Sequence, residues 1–324
     1  MTSRCPLRLL PLLLLLPLAA CSVAPVVADR EPDQYDADDV LLRDHPVPHV
    51  VVREAFVTAA TPEENIDSPA SWLQDGRRML VATAKATDAL VVYDGDTGRR
   101  LRTVGGPGTA PGRLQRPNGV ATIDDRYLFV VERDNRRVQM FRLPEFTPLL
   151  VFGAAELQQP YGLWVRASGD GYEVLVSDAY MAGEDANGDD IVPPLDQLDR
   201  RFRRYQVARD GDGWSARAAG AFGDTSAAGA IRVPESLFGD PAHDRLLVAE
   251  EDVPTGTRLR EYDLQGRYLG RDVGAGQYRA QAEGIALMAC ADGSGWWVAS
   301  DQYADRTVFH LFERRGQAHV GSFA

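Results

Sequence analysis

The sequence is nearly without lysine. Among 324 residues and 35 basic side chains, Lys85 is the sole lysine and the rest are arginine. A GC-rich codon bias accounts for the preference, and it makes the place of that one lysine informative. Basic residues are also outnumbered: 47 Asp and Glu leave a formal charge of −12. Such a balance argues against nucleic acid as a partner, whose phosphates demand patches of Lys and Arg. It can still hold a polyanion if metal ions bridge the two. Cysteine is scarce as well. Of Cys5, Cys21 and Cys290, only the last lies in the body of the chain, in an apolar run over 285–291, so no internal disulfide is expected there and core packing is its expected role. The five histidines (His45, His49, His243, His310, His319) show no metal-binding spacing, and no G-x-S-x-G elbow occurs. The glycine-rich stretch 105–112 lacks the Gly-Lys-Ser/Thr ending of a phosphate loop. Zinc-hydrolase, serine-hydrolase and P-loop chemistry are therefore disfavoured.

One long apolar run is present, at the N-terminus. Arg4 and Arg8 precede Leu9 to Leu18, which is too short to cross a bilayer and reads as the core of a signal peptide. The ending Leu18-Ala19-Ala20-Cys21 resembles the bacterial lipoprotein lipobox. Cleavage would remove residues 1–20 and leave Cys21 to carry a lipid anchor in the cell envelope. Ser22, in place of Asp, favours the outer membrane. Residues 21–45 are rich in Pro, Asp and Ala and read as a flexible tether. Residues 46–324 then form the folded domain.

That domain repeats. Gly112 to Leu143 reads as a small antiparallel sheet: an apolar segment 120–123, a turn at Asp124-Asp125, a strand Tyr127 to Val131 ending in charge, and a strand Arg137 to Leu143. Four other units share the pattern. Each opens on a Pro-like loop, at Pro69, Pro117, Pro160, Pro234 and Ala282. Each continues into an apolar strand that stops at charge, at Lys85, Glu132, Asp178, Glu250 and Asp301. A third strand places an aromatic at Tyr93, Phe141, Tyr205, Tyr262 and Phe312. A period of about 50 residues with strand-rich units is the signature of a β-propeller. The expected fold is an all-β propeller with five visible blades; six would need cryptic strands. Equivalent positions form rings, so the residues after each Pro and the strand-end charges are expected at one mouth of the central channel. The apolar stretch Val50 to Val57 is expected to be a strand that closes the ring on the last blade.

Several stretches match a known family in order. Ile66-Asp67-Ser68-Pro69-Ala70-Ser71-Trp72, Leu80 to Lys85 and Leu90 to Asp94 come first; Pro234-Glu235, Leu247 to Asp252 and Ala282 to Leu287 follow. Together they resemble the β-propeller phytases, and 105–120 is similar to an inter-blade linker of NHL-type propellers. The resemblance implies calcium-dependent hydrolysis of a phosphomonoester, phytate (myo-inositol hexakisphosphate) in that family, of the 3-phytase type. It implies Ca²⁺ ligands at Asp67, Asn118, Glu235, Glu250, Glu251 and Glu283. It implies phosphate-side or catalytic roles for Lys85, Arg133, Tyr161 and Glu235. Carboxylates holding hard, oxygen-seeking Ca²⁺ attract phosphate where bare carboxylates would repel it. The family pattern is broken at Ser68, at Ser177-Asp178-Ala179-Tyr180 and at Gln281, and its final blade has no counterpart here. Two alternatives follow: a non-catalytic propeller that binds a ligand or partner at the same mouth, and a gluconolactonase-like calcium hydrolase. Asp185, Asn187 and Asp189 alternate as in a calcium loop, but Gly188 falls at the fourth position rather than the sixth, so a solvated acidic loop is the expectation.

Overall fold

The computed structural model describes residues 47–303 and 306–324. The lipobox, Cys21 and the tether lie outside the described residues. The strands form five antiparallel four-stranded sheets in simple meander order. The first comprises β1 (Ile66–Gln74), β2 (Arg77–Ala84), β3 (Ala89–Asp94) and β4 (Arg100–Gly105). The second comprises β5 (Pro117–Ile123), β6 (Tyr127–Glu132), β7 (Arg137–Arg142) and β8 (Thr147–Phe152). The third comprises β9 (Pro160–Ser168), β10 (Gly171–Asp178), β11 (Phe202–Asp210) and β12 (Gly213–Phe222). The fourth comprises β13 (Pro234–Asp240), β14 (Arg245–Glu250), β15 (Arg258–Tyr262) and β16 (Tyr268–Val273). The fifth comprises β17 (Gln281–Ala289), β18 (Gly295–Gln302), β19 (Thr307–Glu313) and β20 (His319–Phe323). The first strands β1, β5, β9, β13 and β17 are innermost, each packed on the next. The chain is an all-β, five-bladed propeller.

Apolar runs form the second strands because each serves two cores. In β6, Tyr127, Phe129 and Val131 face the third blade, while Leu128 and Val130 face the first. A strand covered on both faces needs an unbroken apolar run rather than strict alternation. The third-strand aromatics Phe141, Tyr205, Tyr262 and Phe312 each face the preceding blade and are almost fully buried.

The arginine-rich composition has a structural use in the linkers. Arg137 donates to Arg113 O (2.9 Å) and to Thr109 O, clamping the 105–116 linker. Arg201 is fully buried and donates to the carbonyls of Asp178, Tyr180, Ile231 and Arg232. Burial pulls its guanidinium down to about 10. Asp240, at the end of β13, bolts the fourth blade to the fifth: Arg314 grips it bidentately at 2.7 Å through both nitrogens, and His243 lies at 2.8 Å. Burial pushes the Asp240 carboxyl up, but Arg314 and His243 overcome this and hold it below the ordinary carboxylate range. Asp240→Asn is expected to destabilise the fold by about 3–5 kcal/mol, because it strands a buried guanidinium. A depressed carboxyl stabilises above its unfolded value and loses that contribution as pH falls through its folded value. The gap between wild type and variant in denaturant melts should therefore hold at pH 7 and shrink below about pH 5.

The stretch Val50 to Val57 attaches to the last blade but does not form the expected strand. Val50 makes a single parallel bridge to Phe323, supported by Val50 N to Ser322 O and Val52 N to Ala324 O, both 2.9 Å. Beyond that it is irregular, and Val51 is 83% exposed. Its valines have no facing sheet to bury them.

Candidate metal and anion site at the channel mouth

Each inner strand carries a bulge near its start. The ladder to the second strand slips between Ile66 and Pro69, Pro117 and Val120, Pro160 and Leu163, Pro234 and Leu237, and Ala282 and Ile285. Bulges re-aim side chains next to functional sites. The first bulged residues are Asp67, Asn118, Tyr161, Glu235 and Glu283, all predicted site residues. The second are Ser68, Gly119, Gly162, Ser236 and Gly284, all small. The reason is close approach between inner strands. A Cβ on Gly162 would lie 2.6 Å from Glu235 O, and one on Gly119 would lie 2.7 Å from Tyr161 O. The bulges lie inside the inner strands rather than in loops, and they correct the repeat register. Asp67, not Ala70, is the first-blade counterpart of Asn118.

A second ring follows the second strands. Its members are Lys85, Arg133, Ala179, Glu251 and Gln302, each one residue past the partner of the residue just before the bulge. The first four donate their backbone N–H to the residue preceding the inner strand, namely Asn65, Arg116, Gln159 and Val233. Lys85 therefore belongs with Arg133 and Glu251, not with Glu132 and Glu250.

The strand-end carboxylates do something else. Glu132, Asp178, Glu250 and Asp301 are fully buried and turned onto the linkers. Glu132 accepts from Gln115 N (3.0 Å), Asp178 from Gln159 N (2.8 Å), Glu250 from Arg232 N and Val233 N (both 2.9 Å), and Asp301 from Ala280 N (2.8 Å). Each also faces a basic group: Arg137, Arg203, Arg260 and His310. Burial pushes the Asp178 and Glu250 carboxyls up against the pull of these amides. Glu250 is thus a linker latch and lies outside the group of acidic side chains described next, contrary to the expected ligand role. Glu250→Ala is expected to cost about 2–4 kcal/mol in denaturant melts, since it leaves the buried Val233 N–H and the part-buried Arg232 N–H without this acceptor.

Among the described residues, Glu235, Glu251 and Glu283 bring ligand oxygens within 4.8 Å of one another. Glu235 and Glu251 are buried and Glu283 is half-buried. Three like charges this close are costly unless a cation or a proton joins them. All-oxygen donors of this kind suit Ca²⁺. Asn118 is completely buried, and neither atom of its side-chain amide has a hydrogen-bond partner among the described residues. Such an orphaned amide at the bulge ring fits a role as a ligand-facing group.

The first and second blades bring basic side chains, Lys85 and Arg133, each beside an aspartate. Lys85 Nζ lies 2.9 Å from Asp67 Oδ2, donates to the Tyr161 hydroxyl at 3.3 Å, and sits 5.6 Å from the centre of the Tyr161 ring. Arg133, in the same ring, is largely buried and pairs through Nε with Asp134 at 2.8 Å. The structure therefore separates the predicted residues into two groups. Glu235, Glu251 and Glu283 come together, and Lys85, Asp67 and Tyr161 come together, with Asp67 beside the lysine rather than among the glutamates. The Asp185 carboxylate instead accepts from Asn187 N (2.7 Å) and Asp189 N (3.1 Å), a turn of an exposed acidic loop.

Neither a protein-family model nor a curated protein matches the sequence. Solved structures do. A gluconolactonase from Xanthomonas campestris is 15% identical with a TM-score of 0.49, covering 79% of this chain and 74% of its own. Virginiamycin B lyase from Staphylococcus aureus is 11% identical with a TM-score of 0.42, covering 76% and 70%. Hydrazine synthase from Kuenenia stuttgartiensis is 10% identical with a TM-score of 0.44, and the alignment covers 80% of this chain but 66% of the synthase chain. At such identities the likeness is one of fold, and the site must speak for the chemistry.

Proposed function

We propose that this protein is a calcium-dependent phosphomonoester hydrolase of the phytase-like propeller class, carried on a lipid anchor at Cys21 in the bacterial envelope. The observation that carries the reading is the two-sided mouth: three converging glutamates on the fourth and fifth blades, and Lys85 with Arg133 on the first and second. Glu235, Glu251 and Glu283 would hold the ion. Bound Ca²⁺ supplies positive charge that attracts phosphate oxygens and makes a coordinated water more acidic. The chain's own cations do the rest. Lys85 and Arg133 bind and orient the phosphoryl oxygens, and the Tyr161 hydroxyl fixes the lysine. Near burial of Lys85 and Tyr161 keeps water from screening that contact.

A second reading is hydrolysis of a lactone or other carboxylic ester. It is favoured by there being one three-carboxylate group among the described residues, which suits one cation rather than several. Turnover of p-nitrophenyl phosphate against a δ-lactone, each with calcium, separates the two. Phosphate ester turnover alone is the expected result; lactone turnover alone would overturn the phosphatase reading. The anchor has its own check. Labelling cells with a palmitate analogue should mark the wild type and not Cys21→Ala, and equal labelling would refute anchoring at that residue.

A further inference from the structure

The junction between the last blade and the first is unlike the other four. Apolar cores join blades one to two, two to three, three to four and four to five. Among the described residues no comparable core joins five to one. Ladder register shows which residues face this junction. From the fifth blade they include Met288, paired with Trp296, and Val298, paired with Leu311. Met288 remains 58% exposed and Trp296 41%. From the first blade come the buried Ala84, Ala89 and Val91 with Tyr93, which is half-buried where its equivalents Phe141, Tyr205, Tyr262 and Phe312 are buried.

What crosses the junction is the segment 50–65. At one end Val50 and Val52 hydrogen-bond to the edge of β20. Midway, Phe56 sits on the turn of the first blade at Gly98, where an added Cβ would lie 2.3 Å from its ring. At the other end Arg100 grips Glu64 bidentately at 2.7 and 2.8 Å. Glu64 O and Asn65 O then accept the N–H groups of Ala86 (3.1 Å) and Lys85 (3.0 Å). The first blade also lacks the carboxylate latch of the others. Ala84 stands at the position of Glu132, Asp178, Glu250 and Asp301.

We propose that residues 50–65 are a strap closing the ring across this junction, where among the described residues no apolar core is shared by the two blades, and that Glu64, fastened by Arg100, is the positioning residue for Lys85. Glu64 does from outside the blade what the strand-end carboxylates do within the others. The lysine backbone is held by the strap, while its side chain reaches the mouth. The consequence for anion binding rests on the role proposed above for Lys85; the strap itself does not.

Full-length wild type, Glu64→Gln, Glu64→Asp and Phe56→Ala should be compared by hydrogen exchange, and by titration with inorganic phosphate and with calcium. Glu64→Gln is expected to speed exchange in 50–65 and at Lys85 and Ala86 while β6 and β10 stay protected. It should weaken phosphate binding by about tenfold or more, the worth of a charged hydrogen bond, and leave calcium affinity unchanged. Glu64→Asp should restore part of the phosphate affinity. Phe56→Ala should release the strap alone. Unchanged exchange in the strap and at Lys85 in the Glu64 variant overturns the proposal. So does a loss of protection in every blade with phosphate and calcium affinity falling together, which marks a merely structural pair. If wild type binds no phosphate, the phosphatase reading fails, and the exchange pattern alone decides the strap.

Discussion

Glu251→Gln is expected to abolish the rise in melting temperature that calcium gives the wild type. An ion bound only by the folded state stabilises by about 2.7 kcal/mol at a hundredfold excess over its Kd. For a domain of this size that is roughly 5 °C. Glu251 reaches the group from the second ring, whereas Glu235 and Glu283 reach it from bulges on neighbouring inner strands. Removing one charge of three lowers affinity for a hard cation and also relieves repulsion in the metal-free state. The variant should therefore melt at or above the wild type in chelator and gain nothing from calcium. Glu250→Ala should do the reverse: a lower melting point throughout, with the calcium increment intact. Adjacent glutamates with opposite signatures would separate the ligand from the latch by differential scanning calorimetry. A calcium increment that survives in Glu251→Gln would remove that residue from the site.

Lys85→Ala is expected to lower phosphate release by about 10²–10³-fold with little loss of stability. Preorganised charge aimed at a phosphoryl group is worth several kcal/mol in a water-poor site. Lys85 meets that description, being 8% exposed and held by Asp67 and by the Tyr161 hydroxyl. Its backbone contacts survive truncation, because Asn65 O accepts from the main-chain N–H. Lys85→Arg should rescue only in part, since a planar fork does not reproduce a compact ammonium between Asp67 and Tyr161. The check is a rate measurement at saturating calcium, with circular dichroism to confirm the fold. Unchanged turnover in Lys85→Ala would show that the lysine is not at the reacting phosphate.

The propeller was legible in the sequence because a blade is a local unit. Apolar second strands with turns between them recur whatever lies far away in the chain. The residues after Pro117, Pro160, Pro234 and Ala282 stood out in the sequence, but as loops rather than bulges, and in the first blade the repeat pointed to Ala70 where the bulge holds Asp67. The physical cause of the small residues there, close approach of neighbouring inner strands at Gly119 and Gly162, was not legible. Register was the weak point. A one-residue step separates Ala84 from Lys85 and Glu250 from Glu251, and along a strand that step decides whether a charge faces a linker or the mouth. Charge pattern alone could not tell the latch from the ligand. The Glu64–Arg100 pair spans 36 residues and belongs to no repeat, so periodicity could not reveal it.

The most direct measurement is phosphate release from phytate by the full-length protein, with calcium and with chelator, beside Glu251→Gln. The expected result is release that requires calcium and disappears in the variant. No release at any calcium concentration or pH, or release that persists in chelator, would contradict the central claim that the two-sided mouth is a calcium-dependent phosphatase site.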